Sequence, residues 1–134
     1  MTAVPELQLA LVELVRNDPC IVQLLTGGFH DGTAPGDVPF PYGILGDWTE
    51  TNRDGLNYIG RQETFLVHIF SKYRGIKEAG AIASRVTRLL NRPVISCESW
   101  NVVEVVFEGT ETLVEQYEVR HFAMRFRVTT RLKK

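Results

Sequence analysis

"QETFLVHIFS", residues 62–71, is apolar on both sides of an extended chain, with Phe65, Val67 and Ile69 on one face and Leu66 and Phe70 on the other. Bulky aromatic and β-branched residues in a run of this length specify a strand. A strand apolar on both faces normally lies in a sheet covered on both faces. What covers each face therefore decides the architecture.

The segment that follows, "RGIKEAGAIASRVTRLLN" at 74–91, is the clearest helix. Ile76, Ala79, Ile82, Ala83, Val86, Leu89 and Leu90 form one stripe opposite Lys77, Glu78, Ser84, Arg85 and Arg88, and Asn91 with Pro93 ends it. Upstream, "YGILGDWT" at 42–49 reads as a strand with Tyr42, Ile44 and Trp48 on one face, Leu45, Asp47 and Thr49 on the other, and Gly46 as a bulge position. Between these strands, "ETNRDGLNYIG" at 50–60 carries the turn pair Asp54-Gly55 and reads as a loop or a long flexible hairpin. Two more strands close the chain, "WNVVEVVFE" at 100–108 and "EVRHFAMRFRVTTR" at 118–131. The second sets Phe122, Met124, Phe126 and Val128 against His121, Arg125, Arg127 and Arg131. Residues 109–117, "GTETLVEQY", read as the connection between them.

At the N-terminus, "PELQLALVELVR" at 5–16 puts Leu7, Ala10, Leu11, Leu14 and Val15 at helical spacing, while Leu9 and Val12 leave little polar surface. A helix this apolar is expected to be covered on more than one side. "NDPCIVQLLTGG" then begins a short helix with Asp18 as N-cap, Pro19 in the first turn and Gly27 as the stop. The prolines of "APGDVPFPYGILGDW", residues 34–48, hold the chain extended into the strand at Tyr42 and make a stiff arm suited to contact with a neighbouring subunit. The order α, short α, β, β, α, β, β predicts an α+β fold, a four-stranded, mainly antiparallel sheet with helices packed on one face as a two-layer sandwich. Two layers leave the Leu66 and Phe70 face without a cover, and a second copy of the chain is the simplest one.

The chain has 134 residues, 44% of them hydrophobic, which suits one domain over 1–134. Its 15 basic and 16 acidic residues nearly cancel, so no long-range field draws it to nucleic acid or an anionic membrane. No apolar run approaches the roughly 18 residues of a membrane span and no leader pattern opens the chain, so a soluble, cytoplasmically made protein is expected. Cys20 and Cys97 lack metal-ligand spacing and are expected to be free thiols, with Cys20 packed as a small hydrophobe in "CIVQLL".

Catalytic patterns fail on physical grounds. "GGFHDGT" at 27–33 echoes a phosphate loop but has Thr33 where a lysine is required and follows a helix. Glu104 and Glu108, at roughly 13 Å by strand rise, are too far apart for paired-carboxylate hydrolysis. His68 and His121 approach each other if their strands pair, yet two imidazoles without a third ligand or an orienting carboxylate at i+2 make a poor zinc site. No enzyme, cofactor or metal site is therefore expected; a small ligand pocket around His30, Asp31 and Tyr42 is the alternative of that class. The arginine row Arg125, Arg127 and Arg131 is expected to pair with Glu104 and Glu108, or across a subunit contact, in preference to nucleic acid.

The approach "PFPYGILG", the strand-to-helix step "TFLVHIFSKYRG" with its alanine-rich helix, and the long final strand "YEVRHFAMRFRVTTR" together resemble the tail-terminator or tail-completion proteins that join heads to tails in long-tailed bacteriophages. That resemblance spans nearly the whole chain. It implies a structural virion protein that forms a ring, commonly a hexamer, at the head-proximal end of the tail after assembly in the host cytoplasm. Such a ring caps the tail tube protein, ends its polymerisation and meets the head-tail connector protein, while DNA passes through without specific binding and no membrane is involved. A head-completion adaptor or a tube component of the same particle is the alternative. For the subunit interface the reading selects Phe70, His121, Arg125 and Arg127. For docking on a neighbouring ring it selects a mobile loop carrying Arg53, Asp54, Leu56 and Tyr58.

Overall fold

A computed structural model describes residues 1–134. Three helices, α1 (Val4–Arg16), α2 (Pro19–Leu24) and α3 (Lys77–Leu90), lie on one face of a single five-stranded sheet. Its strands are β1 (Phe29–Asp31), β2 (Tyr42–Asn52), β3 (Gly60–Ser71), β4 (Trp100–Val114) and β5 (Arg120–Leu132), in the spatial order β1-β2-β3-β5-β4. The two-layer α+β expectation holds, but the sheet has five strands and is mixed. β1 runs parallel to β2, pairing His30 with Ile44, whereas every other pair is antiparallel. Parallel neighbours need a return connection, and this is the role of the proline-rich segment 32–41. It is tied down where it enters β2, because the Gly27 amide donates to the Pro41 carbonyl at 2.8 Å. The Phe40–Pro41 peptide is cis.

Three boundaries differ from the sequence reading. β2 continues to Asn52 through residues expected in the loop, β4 continues to Val114 through the expected connection, and α3 starts at Lys77 with Ile76 exposed outside it. In each strand the polar residues Thr51, Thr110 and Thr112 conceal the continuation from a hydrophobic pattern, since both strands run beyond the cover of the helices. The β2 bulge falls between Gly46 and Thr49, with Asp47 at φ 56°. That extra residue turns Trp48 onto the covered face, where it packs on Phe65 with ring centroids 4.8 Å apart, rather than alongside Tyr42 and Ile44.

The core fills the space between helices and sheet. Leu7, Leu11, Val12 and Val15 of α1 and Ala79, Ile82, Ala83, Val86 and Leu90 of α3 meet Leu45, Phe65, Val67, Ile69, Met124, Phe126 and Val128. α1 nevertheless exposes Leu9, so its apolar excess is covered on one side only. Asp18 caps α2 by accepting the Ile21 amide at 3.0 Å, as its position before Pro19 predicts, and also takes two bonds from Arg85 of α3 at 3.0 and 2.6 Å. The Arg85 bond holds the Asp18 carboxyl below its ordinary pKa despite burial. Cys97 is buried, whereas Cys20 is exposed, because α2 turns its Ile21 side inward and its Cys20 side to solvent.

One acid of the covered layer has no cation partner. Glu63 is fully buried and its carboxylate accepts the Thr130 hydroxyl at 3.0 Å. No cation pairs with it; burial, reinforced by the neighbouring Glu50 carboxyl, raises its pKa to about 8. Burial also opposes charge on Glu50, but bonds from Glu63, Thr2 and the Ala3 amide outweigh it and hold that carboxyl below its ordinary value. The two side chains share one charge at neutral pH. No helix of the chain is long and apolar enough to cross a membrane.

Candidate functional site

The face of the sheet turned away from the helices is the candidate site. On β3 the even-numbered residues Thr64, Leu66, His68 and Phe70 are half-buried and face no helix, while their odd-numbered neighbours are fully packed. The pairing of β3 with β5 sets Phe70 opposite His121, His68 opposite Ala123, Leu66 opposite Arg125 and Thr64 opposite Arg127. The four residues selected for a subunit interface therefore share one face. Phe70 stacks on Tyr42 at 5.0 Å and on His121 at 4.4 Å, and Phe40 continues the row beyond Tyr42 at 5.3 Å with the Lys72 ammonium over its ring. Burial raises the Tyr42 phenol.

Beyond this aromatic row the face becomes charged and shallow. Gly109 and Ala123 form the floor of a hollow bounded by Leu66, Glu108, Glu111 and Arg125. Arg125 is exposed. Arg127 Nε lies 3.4 Å from Glu108, close enough for ion pairing but not aligned as a hydrogen bond, and Glu104 meets Arg92 at 3.5 Å rather than the arginine row. Arg131 places its guanidinium 4.2 Å over the Tyr58 ring.

The histidines come together as the strand pairing allows, and two carboxylates join them. His68 Nδ1 lies 2.7 Å from His121 Nε2, His68 Nε2 lies 2.6 Å from Asp47, and His121 Nδ1 lies 2.9 Å from Glu115. No carboxylate two residues away supplies this; Asp47 is presented by the β2 bulge and Glu115 by the start of the β4–β5 turn. Only a reading that placed the bulge after Gly46 on the open face could have found Asp47 in the sequence.

The loop carrying Arg53, Asp54, Leu56 and Tyr58 joins β2 to β3 at the opposite end of the sheet from the β4–β5 turn. It is hydrogen-bonded rather than free. Asp54 accepts the Gly60 amide at 3.0 Å and Arg61 at 2.9 Å, Arg53 donates to Gln62 at 3.1 Å, and Gly55 donates to the Tyr58 carbonyl at 3.1 Å. The Gly60 amide bond, followed by that of Asn52, holds the Asp54 carboxyl below its ordinary pKa. Tyr58 and Ile59 pack back onto the domain, and Leu56 alone projects fully into solvent. His30 and Asp31 do not converge: the ring of one bonds the Gly27 carbonyl at 2.7 Å, and the carboxylate of the other accepts the Gln8 side-chain amide.

This fold is shared with two solved structures. A chain of the virion of a native gene transfer agent particle superposes with a TM-score of 0.88 at 20% identity, covering 97% of this chain and 98% of that one. The gp17 protein of bacteriophage SPP1 superposes with a TM-score of 0.61 at 21% identity over 95% and 90%. No curated protein matches the sequence. The model of the family described as tail completion protein gp17 matches residues 9–131, and the chain belongs to that family. Its role is accordingly that of a structural tail-completion protein.

Proposed function

We propose that residues 1–134 form one subunit of a ring, six copies in the simplest case, that caps the tail tube at its head-proximal end and joins it to the head connector. The observation that carries this reading is the helix-free sheet face. Phe70, Leu66, Ile44 and Val106 remain only half-covered there, beside an exposed Arg125, so a second copy has both apolar area to bury and charge to match. Surface complementarity is the whole mechanism, with no bond chemistry. The Leu56 tip is the docking point for a neighbouring ring at one end of the sheet. Near-balanced charge suits a passage through which DNA moves without being held.

Particles made without the protein should carry overlong or unattached tails, seen by negative-stain microscopy, and labelled protein should sit at the head-tail junction above the last tube ring. Tails of normal length and attachment would overturn the reading. Label inside the head portal or along the tube would favour a head-completion adaptor or a tube component instead.

A further inference from the structure

The row Asp47, His68, His121, Glu115 crosses the open face from the β2 bulge through β3 and β5 to the β4–β5 turn. Each outer ring nitrogen faces a carboxylate oxygen, His68 Nε2 on Asp47 at 2.6 Å and His121 Nδ1 on Glu115 at 2.9 Å. A carboxylate only accepts, so both of these nitrogens donate. The inner nitrogens, His68 Nδ1 and His121 Nε2, lie 2.7 Å apart, a hydrogen-bond distance that requires a hydrogen between them. A neutral imidazole has a single N–H, so two neutral rings lack the third hydrogen that the row uses. The pair therefore carries one extra proton.

We propose that His68 and His121 share this proton as a pH-sensitive clamp, which holds the β2 bulge and the β4–β5 turn onto the open sheet face while it is present and releases them when it leaves. The groups facing the pair favour the charge. Asp47 of the bulge, Glu115 of the turn and Glu111 of β4, opposite Ala123, are three carboxylates. Against them stand Arg125 of β5 and, beyond it, Arg127 beside Glu108, while Lys72 after β3 lies over the Phe40 ring. No helix packs here, and Tyr42 of β2 reaches the row only through its stack on Phe70. Phe70 itself lies 4.4 Å from the His121 ring and 6.2 Å from that of His68, where its π face attracts a shared positive charge. Burial opposes the charge, since the two histidine side chains are only 17% and 11% exposed, but each keeps a carboxylate in contact. Without the proton, two lone pairs face each other across the 2.7 Å gap and repel. The rings then separate and draw Asp47 and Glu115 with them. Glu115 begins the β4–β5 turn, closed by its amide on the Val119 carbonyl at 2.8 Å, so the turn is the backbone that loosens while the β3–β5 ladder holds. None of this depends on the ring reading.

Magnetic resonance of the full-length protein with isotopically labelled histidine should show, near neutral pH, both outer nitrogens protonated and a nitrogen–nitrogen coupling across the inner hydrogen bond. Raising the pH should abolish that coupling and shift both rings in one common step with the loss of a single proton. Hydrogen exchange at the Glu115 amide, corrected for the intrinsic effect of pH, should accelerate at the same step. Asp47→Asn and Glu115→Gln, which alter exposed carboxylates and leave the core intact, should each lower the pH of that step by about 1 unit, with circular dichroism verifying that they fold. His30→Gln should leave the step where it is. Inner nitrogens that are both unprotonated near neutral pH, or rings that titrate independently, would overturn the shared proton. A step that leaves exchange at Glu115 unchanged would overturn the clamp.

Discussion

On β3, the odd-numbered residues face the helices and the even-numbered residues face none, and the two sets handle polar groups in opposite ways. Among the odd-numbered residues of β3 the only acid, Glu63, is kept neutral, because no cation reaches it and the Glu50 carboxyl of β2 is adjacent. On the open face, carboxylates lie at the rim, more than a third exposed, and are used to hold side chains: Asp47 holds His68, Glu115 holds His121 and Glu108 holds Arg127. Burial sets the difference. A charge without a cation inside the two-layer core costs more than protonation does, whereas the paired Asp18 stays ionised and, at the edge of an unroofed sheet, water pays most of that cost.

The sharpest way to break this comparison is at an aromatic of the covered face. Phe65 lies between Trp48 and Phe126, so Phe65→Ala should cost about 3–5 kcal/mol in urea unfolding. A loss under 1 kcal/mol would mean that the layer is far less packed than its burial indicates. Next is the pH profile of Glu63. Its folded-state pKa, about 8, lies above the unfolded value of 4.5, so the folded state retains a proton that the unfolded state releases. Stability should therefore fall as pH rises from about 4.5 to 8, by up to roughly 1.4 kcal/mol per unit, and level off above that. Glu50, whose value is lowered, works the other way and loses its contribution only as pH falls through the acid range. Glu63→Gln keeps the Thr130 contact and should flatten the neutral-range slope; an unchanged slope would show that Glu63 is ionised in the fold.

A smaller effect is expected where the helices are tied together. Arg85→Ala leaves the buried Asp18 with its Ile21 cap alone and should cost about 1–3 kcal/mol, read as a lower thermal midpoint. The smallest effect on folding belongs to the open face. Arg125→Glu should move monomer stability by less than about 0.5 kcal/mol while reducing the multimer mass measured by light scattering. An unchanged multimer mass would count against Arg125 as a contact, and a large loss of stability would contradict its exposure.

The sequence pattern foretold the covered face better than the open one. Hydrophobic periodicity located α1, α3, β3 and β5, and Asp18-Pro19 marked the start of α2, because those features are local and repeat at helix or strand spacing. β1 escaped because three residues in a glycine-rich stretch carry no period, and its strand identity comes entirely from pairing with β2. The ends of β2 and β4 escaped because polar residues outside the helical roof leave no alternation to read. Phe70, His121, Arg125 and Arg127, selected for a subunit contact, fall on one face once β3 pairs with β5. Asp47 and Glu115 were not legible beside them, since a bulge and a turn decide where they point, and one extra residue reverses every assignment downstream of it.

The strand order carries a further consequence, for the order of events in synthesis. β3 sits in the middle of the sheet, but its partner on one side is β5, so on that side Gly60 waits for Arg131 and Phe70 for His121. Closing such distant contacts is slow, and until it happens β3 presents a bare edge. The aromatic row lacks its His121 end, and the histidine pair is absent, until β5 has docked on β3. A chain in which β5 has not docked thus lacks the face that we propose meets a neighbouring subunit.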